Sequence, residues 1–513
     1  MKFFEKFADI YKSGAVVSFW TIVSRVFGFV RDILFASFLG SGPMADAFLI
    51  AFRLPNLFRR FFAEGTFAAV FIPLLSEKNE KYGLKEGLAF TSAITSILLL
   101  AVIPLVILAE VFMPQVILLI APGFLEDLNR FELAVSYSRV IFPYLLFIVI
   151  TSLLSASLNT NGKFWVGAAA PVILNLLMIF SMLLAWVIGA QHGLVLSWGV
   201  LLAGALQMLL LASANYKNGL SFGICLPSLD SSVKKFIKRF IPGALGAGTT
   251  QINLLVSSIF ASQIPGAISW LYYSDRVAQL PLGIVGVAIG TVLLPDLSKK
   301  ISLGLKDEEY SIQERAILVS MFFALPAAVS LMFIPDLVIK SLFGYGVFTL
   351  SDVKYTADAL KVYALGIPAF VLIKILAPFY FARQDIRTPL VVAAFSALLN
   401  VLLTWFFIKK IGFVGIALSL VVTGWINVVI LFVIIIMKKI YIPKISFFSV
   451  VSIIVFATFF MLLSLIGLDV LFNSFDYLLN ELEDIFKLLF MVIIGLISYL
   501  GFSYIFRLFK YLK

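Results

Sequence analysis

AVFIPLLSEK (residues 69–78) and TVLLPDLSKK (291–300) are one ten-residue pattern written twice, 222 positions apart. The same displacement recurs on either side of it. FAS at 35–37 returns at 260–262, and Pro143 answers Pro368, both at an offset of 225. Asn175 in ILNLLM answers Asn400 in LLNVLL at 225, and Gly204 and Gln207 answer Gly424 and Asn427 at 220. No single match is specific. Their shared order and nearly constant spacing are what an internal duplication leaves behind.

Composition says what kind of unit is duplicated. Of 513 residues, 62% are hydrophobic and 13% charged, against about 45–50% and 25% in soluble domains. Mean hydropathy is +1.07. So little polar surface cannot cover a water-soluble globule, and the apolar runs approach the ~20 residues that span a bilayer. The chain reads as an all-α polytopic membrane protein, which excludes secreted, disordered and nearly all soluble enzyme classes. One cysteine, Cys225, excludes a disulfide framework or thiolate metal site, and one histidine, His192, excludes a His-based zinc site. The net charge of +11 points to an anionic lipid face or anionic cargo rather than nucleic acid. Lys2, Lys6 and Lys12 precede no short apolar core with a cleavage site, so no removable signal peptide is read.

Runs long enough to cross give 14 transmembrane helices, at 15–40, 44–76, 87–120, 132–159, 164–189, 193–216, 236–262, 265–298, 314–343, 355–382, 388–408, 412–437, 446–467 and 485–509. One set of loops, with the two termini, collects twenty-four Lys and Arg; the other holds only Arg130, Lys354, Lys409 and Lys410. The positive-inside rule then puts both termini in the cytoplasm, which requires an even number of spans. Spans 1–6 and 7–12 are the two copies. Because six is even, they share one orientation, a parallel repeat with the substrate site expected between the halves near the midplane. The expected division is 1–220, 221–440 and 441–513, the last carrying two extra helices as a lipid-tail groove or as packing helices.

The chemistry lies in charges that a lipid-facing helix would not carry. Span 1 holds SRVFGFVRD (24–32), span 2 ADAFLIAFRLPNLFRRFFAEG (45–65), and span 8 YYSDRVAQLP (272–281). An Arg at the bilayer centre costs about 2.5–3.5 kcal/mol on the insertion scale. Arg25, Arg31, Arg59 and Arg276 must therefore face water or one another. Arg25, Gly28 and Asp32 fall at i, i+3, i+7 on one helical face, and Arg53, Asn56, Arg60 and Glu64 form a second. Pro55 removes a backbone bond in span 2 and Gly28 offers a bending point in span 1. At the offset of 225, Arg25, Arg31 and Asp32 align with Thr250, Val256 and Ser257, so only the first copy carries this charge. Asp32, Glu64 and Asp275 also suit a role as counter-charges that lock helices together. Lys374, in mid-span 10, either extends the cationic cavity or snorkels. Guanidinium in excess over carboxylate fits an anion with several oxygens, because Arg binds phosphate bidentately at any relevant pH. A phosphate-bearing cargo is expected. No nucleotide-binding GxxxxGK[ST], HExxH or hydrolase constellation is present.

SRVFGFVRD, ADAF, RLPNLFRRFFAEGTFAAVFIP (53–73) and WLYYSDRVAQLPLGIVGVAIGTVLLP (270–295) resemble the signature segments of the MurJ/MviN lipid II flippase family, within the multidrug/oligosaccharidyl-lipid/polysaccharide exporter superfamily. The resemblance extends over the whole chain. It implies movement of undecaprenyl-pyrophosphate-linked disaccharide pentapeptide from the inner to the outer leaflet of the bacterial cytoplasmic membrane by alternating access. It places the family's cavity arginines on Arg25, Arg31, Arg59 and Arg276, with Asp32 beside them. Where some relatives have a Glu just after the span 8 Arg, this chain has Gln279. Some relatives also carry a sodium site. Asn400 and Thr404 are neutral candidates for it and span 7 offers only Gln251 and Asn253, so no metal, cofactor or coupling ion is assigned. Two other readings stay open: a flippase for another polyprenyl-pyrophosphate oligosaccharide, and a cation-coupled drug exporter. A pseudo-symmetric two-copy site needs no second chain, so a monomer in contact with membrane lipids is expected.

Overall fold

The computed structural model describes the backbone of residues 2–62, 66–226, 230–474 and 484–512; side chains are described for all of these except 2–13, 60–62, 66, 243–250, 252, 284–292, 473 and 512. The described residues form helices and turns with no strand. Ten helical stretches among them are long and apolar enough to cross a membrane. The other four expected spans fall on the helices that carry the motif charges and on their repeat partners.

By contacts the chain divides into two compact units, Met1–Ser269 and Trp270–Lys513. The first holds α1 (Lys2–Leu39), α2 (Pro43–Phe62), α3 (Thr66–Tyr82), α4 (Leu84–Val111), α5 (Met113–Ile120), α6 (Leu128–Ile141), α7 (Tyr144–Thr160), α8 (Phe164–Ile188), α9 (His192–Lys217) and α10 (Ser231–Ala261). α1 packs on α8, α8 on α9, and α2 on α6. Leu154, Leu158, Val166, Ala170, Leu211 and Leu220 knit α7, α8 and α9 together. Between these helices, polar side chains donate to main-chain carbonyls: Gln207 to Ala170 at 2.8 Å and Asn215 to Leu154 at 3.1 Å. In hydrocarbon such a donor has no water to fall back on, so each bond fixes helix register as well as adding stability. Trp165 and Trp186 are exposed near opposite ends of α8, about 32 Å apart at helical rise, which matches the ~30 Å hydrocarbon layer with its interfacial aromatic belts.

α10, the first helix of the second sequence copy, packs on α2, α3, α4 and α5. The compact unit therefore ends one helix later than the duplication boundary.

The second unit holds most of α11 (Ala267–Ser302), then α12 (Lys306–Phe333), α13 (Pro335–Phe343), α14 (Leu350–Phe381), α15 (Arg387–Ile411), α16 (Val414–Met437), α17 (Ile445–Ser474), α18 (Asp484–Ile505) and the short α19 (Phe509–Leu512). α14 is its most deeply buried helix and packs on α12, α13 and α16. α17 and α18 pair with each other and lie on α12 and α13. The Tyr499 hydroxyl donates to the Phe322 carbonyl at 2.6 Å, and Lys340 meets Asp484 at 2.9 Å.

Candidate functional site

Arg31 and Asp32 lie on α1 with only 7% and 4% of their surfaces exposed, so neither faces lipid. Consecutive residues on a helix point about 100° apart, yet the long arginine side chain curls back to its neighbour. Its Nε and Nη2 both donate to Asp32 Oδ1, at 3.0 and 2.7 Å. Nη1 donates to Asn175 Oδ1 on α8 at 2.9 Å and lies 3.8 Å from the Met178 sulfur. The Asn175 amide in turn donates to the Ser24 carbonyl at 2.9 Å. That carbonyl is the i−4 acceptor for the Gly28 N–H in a regular helix. A Cβ on Gly28 would sit 3.4 Å from Asn175 Nδ2. One amide thus holds both the guanidinium and the backbone beside the glycine.

The other predicted residues of this unit take separate positions. Arg25 is on the exposed side of α1. Arg53 is half-buried on α2 and hydrogen-bonds Ser258 of α10. Asn56 turns back to the Phe52 carbonyl of its own helix at 2.7 Å. Arg59, one position off that line, is half-buried and acts electrostatically on the buried Tyr144 hydroxyl. Pro55 is buried inside α2. The Arg60 side chain and all of Glu64 lie outside the described residues. In the second unit, Arg276 stacks its guanidinium 4.7 Å from the Tyr272 ring centroid, a cation–π contact. Asp275 accepts from Gln279, one turn on. Lys374 is exposed on α14. Asn400 is buried, and the hydroxyl of Thr404 is engaged with Ser419 at 2.6 Å.

A second charged cluster went unread in the sequence. Asp46, fully buried in the first turn of α2, accepts from Gly266 N at 2.8 Å, Ser269 N at 3.1 Å and Ser269 Oγ at 2.6 Å. These amides belong to the start of α11, whose first N–H groups have no partner within the helix. Arg130, 1% exposed, stands 3.6 Å from the same carboxylate. It also reaches Asp127 and the Ser262 carbonyl and lies over the Phe124 ring at 4.9 Å. Arg130 counts in the sequence as a loop cation, because nothing local tells a loop Arg on the surface from one folded inward. Gly123 makes this closeness attainable: a Cβ there would come within 2.5 Å of the Ser262–Gln263 backbone.

At its other end, α10 is tied to α3. Glu77 meets Lys235 at 3.4 Å and Lys81 at 2.9 Å, and Lys78 meets Asp230 at 3.7 Å. Beside them Phe67, Phe71, Phe90, Phe236 and Phe240 stack in sequence. α10 is therefore held by polar groups at both ends of the first unit. Among the described residues no cluster of three or more His, Cys, Asp and Glu side chains is arranged to hold a metal ion.

A family model described as lipid II flippase MurJ matches residues 35–509. The probable lipid II flippase MurJ of Rhizobium meliloti (strain 1021) is 39% identical over 428 residues, covering 83% of this chain and 80% of the relative. The lipid II flippase MurJ of Burkholderia cenocepacia is 34% identical over 446 residues, covering 85% and 86%. A solved structure described as lipid II flippase MurJ in an inward closed conformation superposes with a TM-score of 0.81 at 28% identity, over 96% of this chain and 98% of that one. An inward-facing multidrug resistance MATE family transporter of the MOP superfamily matches at 0.67 and 15% identity, which bears on the fold alone. With the family match running from residue 35 to residue 509, through both compact units, the chain belongs to the lipid II flippase MurJ family.

Proposed function

We infer that this chain is a lipid II flippase, a multi-pass protein of the bacterial inner membrane that carries the undecaprenyl-pyrophosphate-linked peptidoglycan precursor from the inner to the outer leaflet. Family membership over residues 35–509 carries the reading, and the buried arginine of α1 supplies chemistry to match. The fourteen-span topology with both termini cytoplasmic, the two six-helix lobes and the monomeric state belong to the same reading.

Arg25, Arg31 and Arg59 of the first unit and Arg276 of the second are the proposed pyrophosphate ligands, with Arg53, Arg60 and Lys374 as further cations. Asp32 takes two of the donors of the Arg31 fork. Capture is then an exchange of one anion for another, and Asp32 regains the fork when the lipid leaves. An exchange of this kind avoids stranding a bare guanidinium in low dielectric, which would cost about 3–5 kcal/mol. Asn175 supports a bend at Gly28. If the Gly28 N–H lets go of the Ser24 carbonyl, the amide still satisfies it. Pro55 gives α2 a comparable freedom. For the tail, a cavity of about 190 Å³ between α12 and α17, lined by Leu325, Val329, Val455, Phe459, Leu462 and Thr458, whose hydroxyl is tied to the Ile454 carbonyl, suits an isoprenoid chain. No covalent step is involved. Access alternates between the two membrane faces by a shift in conformational population.

The test is complementation. Bacteria depleted of their own flippase receive this chain as wild type, Arg31→Ala or Arg276→Ala at equal membrane abundance. Growth restored by the wild type alone supports the assignment. Growth restored equally by the Ala variants removes the arginines from the mechanism. No growth with correctly inserted wild type moves the cargo to another polyprenyl-linked glycan.

A further inference from the structure

Between α5 and α6 the first unit has a cavity of about 440 Å³ that none of the flippase chemistry above uses. Its apolar lining is Pro114, Phe131, Val135 and Val140; its polar lining is Glu132, Ser136 and Arg139. The polar three fall at i, i+4, i+7 on α6, so one helix face presents a carboxylate, a hydroxyl and a guanidinium in that order, and all three are exposed. Glu132 and Arg139 are about 10 Å apart along the axis. Glu110, in the last turn of α4, is close enough to Arg139 for their charges to interact.

The level of this groove follows from the helix lengths. Arg139 stands 21 residues before Thr160, and Trp186 stands 21 residues after Trp165, across the turn that joins α7 to α8. Trp186 is about 32 Å from that turn along α8, and Arg139, just beyond the break at Pro143, stands at a comparable height. Arg139 therefore lies level with the interfacial Trp186, and Glu132 lies two turns farther out. On the orientation proposed above, on which this leaflet assignment rests, that is the outer face. Exposed Val111, Phe112, Leu119 and Leu128 on the neighbouring turns mark the surroundings as lipid.

The charge pattern selects the occupant. Glu110, Glu132 and Arg139 sum to one net negative charge, which repels a simple anionic headgroup. A bare cation balances that charge but leaves the apolar lining of Val135 and Val140 without an occupant. A zwitterionic headgroup whose phosphate sits at the hydrocarbon boundary and whose ammonium sits farther out matches Arg139 and Glu132 in the order in which α6 presents them. Glu132 and Ser136 accept hydrogen bonds, so an ammonium that still carries N–H donors is favoured over a fully methylated one. We propose that the α5–α6 groove is a binding site for an outer-leaflet zwitterionic phospholipid with a primary ammonium headgroup, held by Arg139 at the phosphate and Glu132 at the ammonium, with Val135 beside the ethylene link between them and an acyl chain running inward past Val140.

Native mass spectrometry of the full chain, titrated in the absence of lipid II with phosphatidylethanolamine, phosphatidylcholine or phosphatidylglycerol, tests this independently of transport. The wild type should retain one phosphatidylethanolamine at least tenfold more tightly than phosphatidylglycerol. Arg139→Gln should lose that retention, and Glu132→Gln should erase the preference over phosphatidylcholine. Both side chains are exposed, so thermal unfolding should match wild type and certify the fold. Equal retention of all three lipids, or wild-type retention by Arg139→Gln, overturns the site. Ser136→Cys in a Cys225→Ala background should react with a membrane-impermeant maleimide from outside the cell and be shielded by phosphatidylethanolamine; reaction from the cytoplasmic side alone overturns the leaflet assignment.

Discussion

At the scale of single residues, Asn175 does the most with the least chemistry. It accepts from Arg31 and donates to the Ser24 carbonyl, so Asn175→Leu keeps the approximate volume and removes both bonds. Leaving buried donors and acceptors unmet costs about 1–3 kcal/mol. A lower unfolding midpoint is expected, together with a loss of lipid II translocation larger than the stability change explains, because Arg31 is no longer held. Translocation at the wild-type rate would remove Asn175 from the mechanism. The burial of Arg31 was legible in the sequence because a charge in an apolar run is conspicuous by its cost, whereas Arg25, expected on the same inward side, lies on the exposed side of α1. Asn175 showed only as a repeat marker, since nothing in a single sequence says that its amide crosses from α8 to α1. Asp46 stands among the charges of span 2 in the sequence, but its role there was not legible, because its partners lie more than 80 residues away.

Another residue-scale effect lies outside the membrane. The Lys438 ammonium at 2.7 Å, with the Thr388 N–H and hydroxyl, holds the Asp385 carboxyl down to about 2 from its ordinary value of 3.8. A depressed carboxyl contributes stability that is complete above its unfolded pKa and disappears as the pH falls through the folded one. The difference in unfolding midpoint between wild type and Asp385→Asn should be constant above about pH 5, shrink as the pH falls toward 2 and level off only below it. A difference undiminished at pH 2 would contradict the pairing.

At the scale of elements, proline accounts for where the expected spans and the observed helices part. The span expected at 87–120 is α4 and α5, broken at Phe112 with Pro114 in the first turn of α5; that at 314–343 is α12 and α13, broken at Ile334 before Pro335. Proline lacks the N–H and crowds the preceding turn. The two breaks are themselves copies at nearly the repeat spacing. The match between Pro143 and Pro368 does not carry through: Pro143 separates α6 from α7, whereas Pro368 is accommodated inside the continuous α14. Apolar run length thus conveyed which stretches form long apolar helices. Helix continuity depends on neighbours that can satisfy a freed carbonyl, which run length does not record.

The Asp46 cluster makes a prediction at this same scale. Asp46→Ala strips the start of α11 of its acceptor and leaves Arg130 buried beside only Asp127, so a loss of about 3–5 kcal/mol is expected. Asp46→Asn, which keeps an acceptor, should lose less. Gly123→Ala attacks the same junction from the other side by driving a methyl into the Ser262–Gln263 backbone, at about 1–3 kcal/mol. Thermal unfolding of the three variants checks the order, and an Asp46→Ala protein as stable as wild type would show that the cluster does not hold α11.

At the scale of the whole molecule, the duplication explains the economy of the design and its asymmetry. At the repeat spacing of 225, Arg25, Arg31 and Asp32 align with Thr250, Val256 and Ser257, so only one copy of the sequence pattern carries charge at these positions. An anionic head that moves outward across an inside-negative membrane gains about 2.3 kcal/mol per charge per 100 mV. Collapsing the potential with an ionophore should therefore slow net translocation in proportion to the charge that moves. A rate independent of potential would mean that the arginines travel with the phosphates and cancel them.

The central claim is that this chain moves lipid II and does so through Arg31. Its most direct test is the fraction of radiolabelled lipid II open to an externally added lipid II hydrolase, in cells depleted of their own flippase and supplied with wild type or Arg31→Ala at equal membrane abundance. The account predicts cleavage restored by the wild type and held at the depleted level by Arg31→Ala. Equal cleavage in both would contradict it.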